Sequence, residues 1–197
     1  ITFFFLKEEN MFNSMVIALF PDKYEENIKR ALESTNNLLT RYFIGISIQV
    51  FAITILNTTG LLIFAGLSFS IALIIAFLTG ILNIIPYIGP WIGGTLGVII
   101  ILTTNVPEHV SIGILILTLA MVFMSTQMID VFILQPLIFS SSVKAHPLEI
   151  FIITLVAASM GGVVGMLIAI PSYTIIRVFA REFFSHLKLV QKLTNTL

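Results

Sequence analysis

The sequence predicts an all-α, polytopic transmembrane helical protein with a re-entrant or broken helical hairpin and an amphipathic cytoplasmic helix. Three observations predict it. The 66 residues from Tyr42 to Pro107 contain no Asp, Glu, Lys, Arg or His. Hydrophobic residues make up 57% of the chain and charged residues 10%, where globular domains carry roughly 25% charge. Prolines and glycines concentrate at two points of this apolar background, Asn83–Gly94 and Gly161–Pro171. A spanning helix needs only about 20 predominantly apolar residues, so the charge-free stretch holds more than one and lipid is its solvent.

Several function classes drop out on composition. The net charge of +0 provides no basic field for nucleic acid. With no cysteine there is no disulfide, Cys-based zinc site or thiol nucleophile. Nucleophile elbow, P-loop, dinucleotide-binding glycine and zinc-protease motifs do not occur, so no enzyme, cofactor or metal centre is expected. The basic residues are segregated: Lys7, Lys23, Lys29, Arg30 and Arg41 before the charge-free stretch, Lys144 alone, then Arg177, Arg181, Lys188 and Lys192.

Taken in order, Ile1–Leu6 reads as the end of a preceding membrane helix, and the chain as the C-terminal portion of a longer protein. Residues 7–41 form a cytoplasmic amphipathic segment. Met11–Phe20 is too short to span, and from Pro21-Asp22 an apolar stripe runs through Tyr24, Ile28, Ala31, Leu32, Leu38 and Leu39. A transmembrane domain follows over 42–182. Its first span, 42–63, is anchored by Arg41 and Tyr42. After the turn Gly66-Leu67-Ser68 a second span covers 69–84. Pro86, Gly89, Pro90, Gly93 and Gly94 then forbid a continuous helix, which makes 85–104 a re-entrant segment. Spans at 112–134 and 148–178 flank a polar loop at 140–147, and 183–197 is a cytoplasmic tail. The positive-inside rule puts both basic ends on the cytoplasmic face, which requires an even number of crossings; four spans and a returning hairpin satisfy it.

Irregular backbone at membrane depth is tolerated only where protein or a wet cavity surrounds it. Asn83–Gly94 is therefore either an interfacial turn, with Tyr87 and Trp91 as anchors, or a solute or ion site. Asp130 is the only acidic residue well inside a span. It either reaches the headgroups from near the span's end or binds a proton or cation inside the bundle. Gln127, three residues earlier, shares its helix face, and Gln135-Pro136 closes the span. His146 precedes Pro147 in the loop; it reads, like His109 and His186, as a surface residue rather than a metal ligand. Gly161, Gly162 and Gly165, with Ala157, Ala158 and Ala169, form a small-residue face for close helix packing, and Pro171 is expected to bend the helix.

The run Asn83-Ile84-Ile85-Pro86-Tyr87-Ile88-Gly89-Pro90, with Ile92 and Gly93 after it, resembles a signature of the AI-2E family of bacterial transporters. Pro21, Pro136, His146-Pro147-Leu148, Gly161-Gly162, Gly165 and Pro171 match the family pattern in order, over nearly the whole chain. Ser140 and Gly97 stand where the family often has Gly and a nearby Pro. The resemblance implies a multi-pass protein of the bacterial inner membrane with about three more helices upstream. It also implies export of autoinducer-2 or, as in some members, Na⁺(Li⁺)/H⁺ antiport. The expected transport path runs through Asn83, Pro86, Gly89, Pro90, Gly93, Gln127, Asp130, Gln135 and Pro136. Partners are membrane lipid, a small polar solute or a cation or proton, and further copies in a homo-oligomer. A non-transporting scaffold assembled through Gly161–Gly165 is the alternative of a different class.

Overall fold

The computed structural model describes residues 9–103, 111–137 and 146–184, and every regular element among them is helical. Ile1–Leu6, His109, most of the polar loop at 140–147, including Lys144, and the tail beyond residue 184, including His186, lie outside the described residues.

Helix α1 spans Glu9–Ala18. Pro21, extended at φ −62°, sets up a short 3₁₀ turn at Asp22–Tyr24, and α2 runs from Glu25 to Ala65. Glu25 and Glu26 in its first turn suit the positive end of the helix dipole. The later part of the amphipathic segment, from Glu25, and the first span are thus one helix of 41 residues, roughly 60 Å long and about twice the hydrocarbon thickness. Its second half buries one stripe: Tyr42, Ile46, Gln49, Ile53, Asn57 and Leu61. Gly66, at φ +62°, ends it in a left-handed conformation that glycine adopts without a Cβ penalty.

Helices α3 (Phe69–Leu82) and α4 (Gly89–Thr103) have 14 and 15 residues, about 21–23 Å each, short of a full crossing. They pack on each other as an antiparallel hairpin. Glycines set the approach: Gly89 lies against the Leu82 carbonyl, Gly93 against Thr79 and Gly97 against Ile75. The sequence reading separated a span at 69–84 from a re-entrant segment at 85–104. In the structure these are two arms of one hairpin.

Helix α5 (Ile112–Ile129) continues through a π-helical turn at Asp130–Leu134. Leu61 of α2, Ala72 and Ile75 of α3, Ile101 of α4, and Leu115, Leu119 and Val122 of α5 form the apolar core.

The last element, α6, covers Pro147–Phe184 but leaves helical geometry at Gly162 (φ 57°, ψ −138°). Gly165 comes back against the carbonyl of Ala157, whereas eight residues of unbroken helix would separate them by about 12 Å. The chain doubles back here, making a second hairpin. The break sits at Gly162; Pro171 stays inside the helix.

Two compact units divide the chain, 41–169 and 1–40 with 170–197. In the second, Ile28 and Ala31 are fully buried, and the Phe20, Tyr24 and Phe179 rings surround Phe183. Arg30 pairs with Glu182 at 3.5 Å and Asn27 Nδ2 donates to the Glu182 carbonyl. Arg177, at the end of the span expected over 148–178, is buried, its guanidinium 6.0 Å from the Tyr173 ring centre.

Among the described residues three helical elements are long and apolar enough to cross a membrane: 22–65, 112–137 and 148–183, the last of which folds back. Phe51, Phe64, Phe132 and Met160 are all more than 70% exposed. Such a surface is stable only in lipid. The molecule is a polytopic helical membrane protein.

Candidate functional site

Asp130 is fully buried, and its environment is built from three separate elements. Gln49, on the buried stripe of α2, donates from Nε2 to Oδ1 at 2.7 Å. Asn83, the residue that ends α3, donates from Nδ2 to Oδ2 at 3.0 Å. Gln135 donates from Nε2 to the same oxygen at 2.8 Å. No Lys, Arg or His among the described residues pairs with the carboxyl group. A carboxylate accepts and never donates, so three amide N–H donors match it without adding a charge.

Local backbone explains why these side chains converge. In an α-helix, residues three or four apart share a face, which is why Gln127 was expected beside Asp130. On the other side of Asp130 the π turn closes an i→i+5 bond, from the Gln135 N–H to the Asp130 carbonyl. That extra residue per turn swings the Gln135 side chain over Asp130. Asn83 is held in place by its backbone N–H bond to the Thr79 carbonyl. Beyond it the chain turns through Pro86 and Tyr87, the latter at φ +66°, uncommon for an aromatic residue. Tyr87 packs edge-on against Phe151 at 5.4 Å.

A second polar contact adjoins the first. Asn57 Nδ2 donates to Thr79 Oγ1 at 3.0 Å, and that hydroxyl donates to the Ala76 carbonyl at 2.9 Å. Beside it lies a cavity of about 30 Å³, lined by residues that include Asn57, Thr79, Asn83, Pro90, Phe123 and Gln127. Pro90, Phe123 and Gln127 also face an open groove of about 570 Å³ between α4 and α5, with Tyr87, Trp91 and Met124. The arrangement can exchange amide hydrogen bonds for those of a small polar ligand, close to a buried acid.

The sequence-derived candidates distribute as follows. Asn83, Asp130 and Gln135 come together. Gln127 lines the cavity and the groove. Pro86, Gly89 and Gly93 are buried in the hairpin, whereas Pro136 is exposed. His146 is exposed, and its Nδ1 accepts the Leu148 N–H at 3.3 Å, capping α6 one residue before Pro147. Gly161 and Gly162 have open space where a Cβ would sit; Gly165 is the close contact. Sequence reasoning missed Gln49, Asn57 and Thr79. The available signal was two carboxamides eight residues apart on one face of an otherwise apolar helix. Among the described residues, no group of three or more His, Cys, Asp or Glu is placed to hold a metal.

Residues 1–185 match the family model described as AI-2E family transporter. Two Bacillus subtilis proteins, YueF and YrrI, both named provisionally as transport proteins, are 29% and 27% identical over 98% and 93% of the chain. A provisionally named transport protein of Methanothermobacter thermautotrophicus is 27% identical over 83%. The chain spans about half the length of these relatives, 49% of YueF and YrrI and 46% of the archaeal protein. No solved structure matches it significantly.

Proposed function

Because this chain belongs to the AI-2E transporter family, we propose that it forms part of a transporter moving a small polar solute such as autoinducer-2 across the bacterial inner membrane. The observation that carries the reading is the fully buried Asp130 held by three neutral carboxamides from α2, the first hairpin and the π turn of α5. A buried carboxylate at membrane depth is expensive, and neutral donors, unlike a lysine or arginine, can be released to a hydroxyl-rich solute without stranding a second charge. The path runs from the groove past Pro90 and Gln127 to Asn83 and Asp130, with Pro86, Gly89 and Gly93 shaping the hairpin that lines it. The first hairpin, with arms too short to cross, enters and returns to the same face, as irregular backbone buried in protein permits.

Na⁺(Li⁺)/H⁺ antiport is the second reading. It is favoured by one feature, the absence of a cationic partner for Asp130 among the described residues, which leaves the acid able to take a proton or a metal cation in exchange. Both readings place the basic ends in the cytoplasm and the protein in a homo-oligomer. Proteoliposomes containing the purified protein separate the two. Solute export predicts uptake of labelled autoinducer-2 that falls in Asp130→Asn; antiport predicts Na⁺-dependent proton flux and no autoinducer-2 uptake. Flux of neither leaves the scaffold reading.

A further inference from the structure

The Asn57 carboxamide is 3% exposed, and its Oδ1 has no hydrogen-bond donor among the described residues. Its neighbours explain why. Asn57 Nδ2 is committed to Thr79 Oγ1, and the Thr79 hydroxyl hydrogen is committed to the Ala76 carbonyl. Reversing the amide would let its oxygen accept from the Thr79 hydroxyl only at the expense of the Ala76 bond, and would strand the NH₂ group instead. The oxygen therefore needs a donor from outside these side chains, since an orphaned buried acceptor costs about 1–3 kcal/mol.

The cavity beside it supplies the place. Its volume of about 30 Å³ exceeds the roughly 10–15 Å³ that a single water requires and is far too small for a multi-carbon solute. Its wall offers polar groups at Asn57, Thr79, Asn83, Thr126 and Gln127 and is otherwise apolar. Asn83 is already fixed, with Nδ2 on Asp130 Oδ2, so its acceptor oxygen is the end left for another contact.

We infer that this cavity is a site for one buried water, which donates to Asn57 Oδ1 and links it to the Asn83 amide, and through that amide to Asp130. Water is chosen over a monovalent cation by charge. No formally charged group lines the cavity, and both Asp130 oxygens are taken by amide donors. A bare cation there would be buried without a touching counter-charge, at high cost. The water also makes Asn57 a positioning residue. It ties α2 to the end of α3 through a hydrated contact, which exchanges more readily than interlocked apolar packing. The inference does not depend on what the protein transports.

Structure determination at a resolution that shows ordered water tests it, on wild type with and without thallium(I) as a strongly scattering monovalent cation. A peak about 2.7–3.2 Å from Asn57 Oδ1, with no anomalous signal after thallium, is expected. In Asn57→Leu, where the acceptor is gone and the side chain is apolar, the peak is expected to be lost. Should the leucine variant not fold, Thr79→Val serves, since it frees Asn57 Nδ2 and is expected to shift or empty the peak. A wild-type map without the peak, a thallium peak in the cavity, or a peak unchanged in the folded variants would each overturn the inference.

Discussion

Asp130 is the residue on which the proposed chemistry turns, and each of its hydrogen bonds comes from a carboxamide. Asp130→Asn keeps the shape but sets one amide against another and removes the charge. Transport in proteoliposomes is expected to fall at least about tenfold, equivalent to roughly 1.4 kcal/mol of barrier, with the protein still monodisperse in detergent. Normal flux at every pH tested would remove Asp130 from the path. Gln49→Ala deletes the donor at 2.7 Å and is expected to destabilise the protein by about 1–2 kcal/mol, read from unfolding in detergent. At this scale the sequence showed the acid, because a lone charge in an apolar span stands out, and it showed Asn83 and Gln135. Gln49 and Asn57 stayed hidden because an uncharged amide does not interrupt a charge-free stretch. That Gln135 reaches back to Asp130 was not readable from α-helical periodicity, which fails across the π turn at Asp130–Leu134.

At the scale of elements, glycine decides where two helices can touch and where one must break. A Cβ on Gly89 would collide with the Leu82 carbonyl, whereas Gly113 has only the Ser111 hydroxyl at 3.7 Å nearby. Gly89→Ala is expected to cost about 1–3 kcal/mol. Gly113→Ala, in the first turn of α5, is expected to be neutral or to stabilise by up to about 0.5 kcal/mol. Thermal unfolding of the two variants side by side checks both. Gly161 and Gly162 make a similar pair without a contact to blame. Only Gly162 has positive φ, so Gly162→Ala is expected to destabilise by about 1–2 kcal/mol and Gly161→Ala not at all. The break points were legible in the sequence as clusters of Pro and Gly. What they produce was not. A Gly-Gly pair followed by Gly165 reads equally as a packing seam or a reversal, and only the approach of Gly165 to Ala157 shows the reversal. Likewise, the pairing of Gly93 with Thr79 and Gly97 with Ile75 depends on the antiparallel register of α3 and α4, which no local pattern encodes.

At the scale of the molecule, two hairpins that each return to the face they enter would change which face each connection occupies while preserving the parity required by the charges. With full crossings by α2 and α5 and a return by each hairpin, the count is even. The basic start of α2 and the end of α6 then share a face, in agreement with the Arg30–Glu182 pair and the Asn27 bond to Glu182. Four separate spans would also be even, so charge bias alone could not distinguish the two arrangements. The connections can. If α3 crossed and 85–104 returned from the far side, Ser68 and Thr103 would lie on opposite faces, and His146 would share the face of Ser68. If α3 and α4 form one returning hairpin, Ser68 and Thr103 lie together, opposite Lys29, and His146 lies with Lys29. These 197 residues contain no cysteine, so single cysteines placed among them report without background from this part of the protein. Ser68→Cys and Thr103→Cys are expected to react with an impermeant maleimide added outside intact cells. Lys29→Cys and His146→Cys are expected to react only after the membrane is opened. Protection of Thr103→Cys together with external labelling of Ser68→Cys would restore α3 as a full crossing and remove the first hairpin from the transport path.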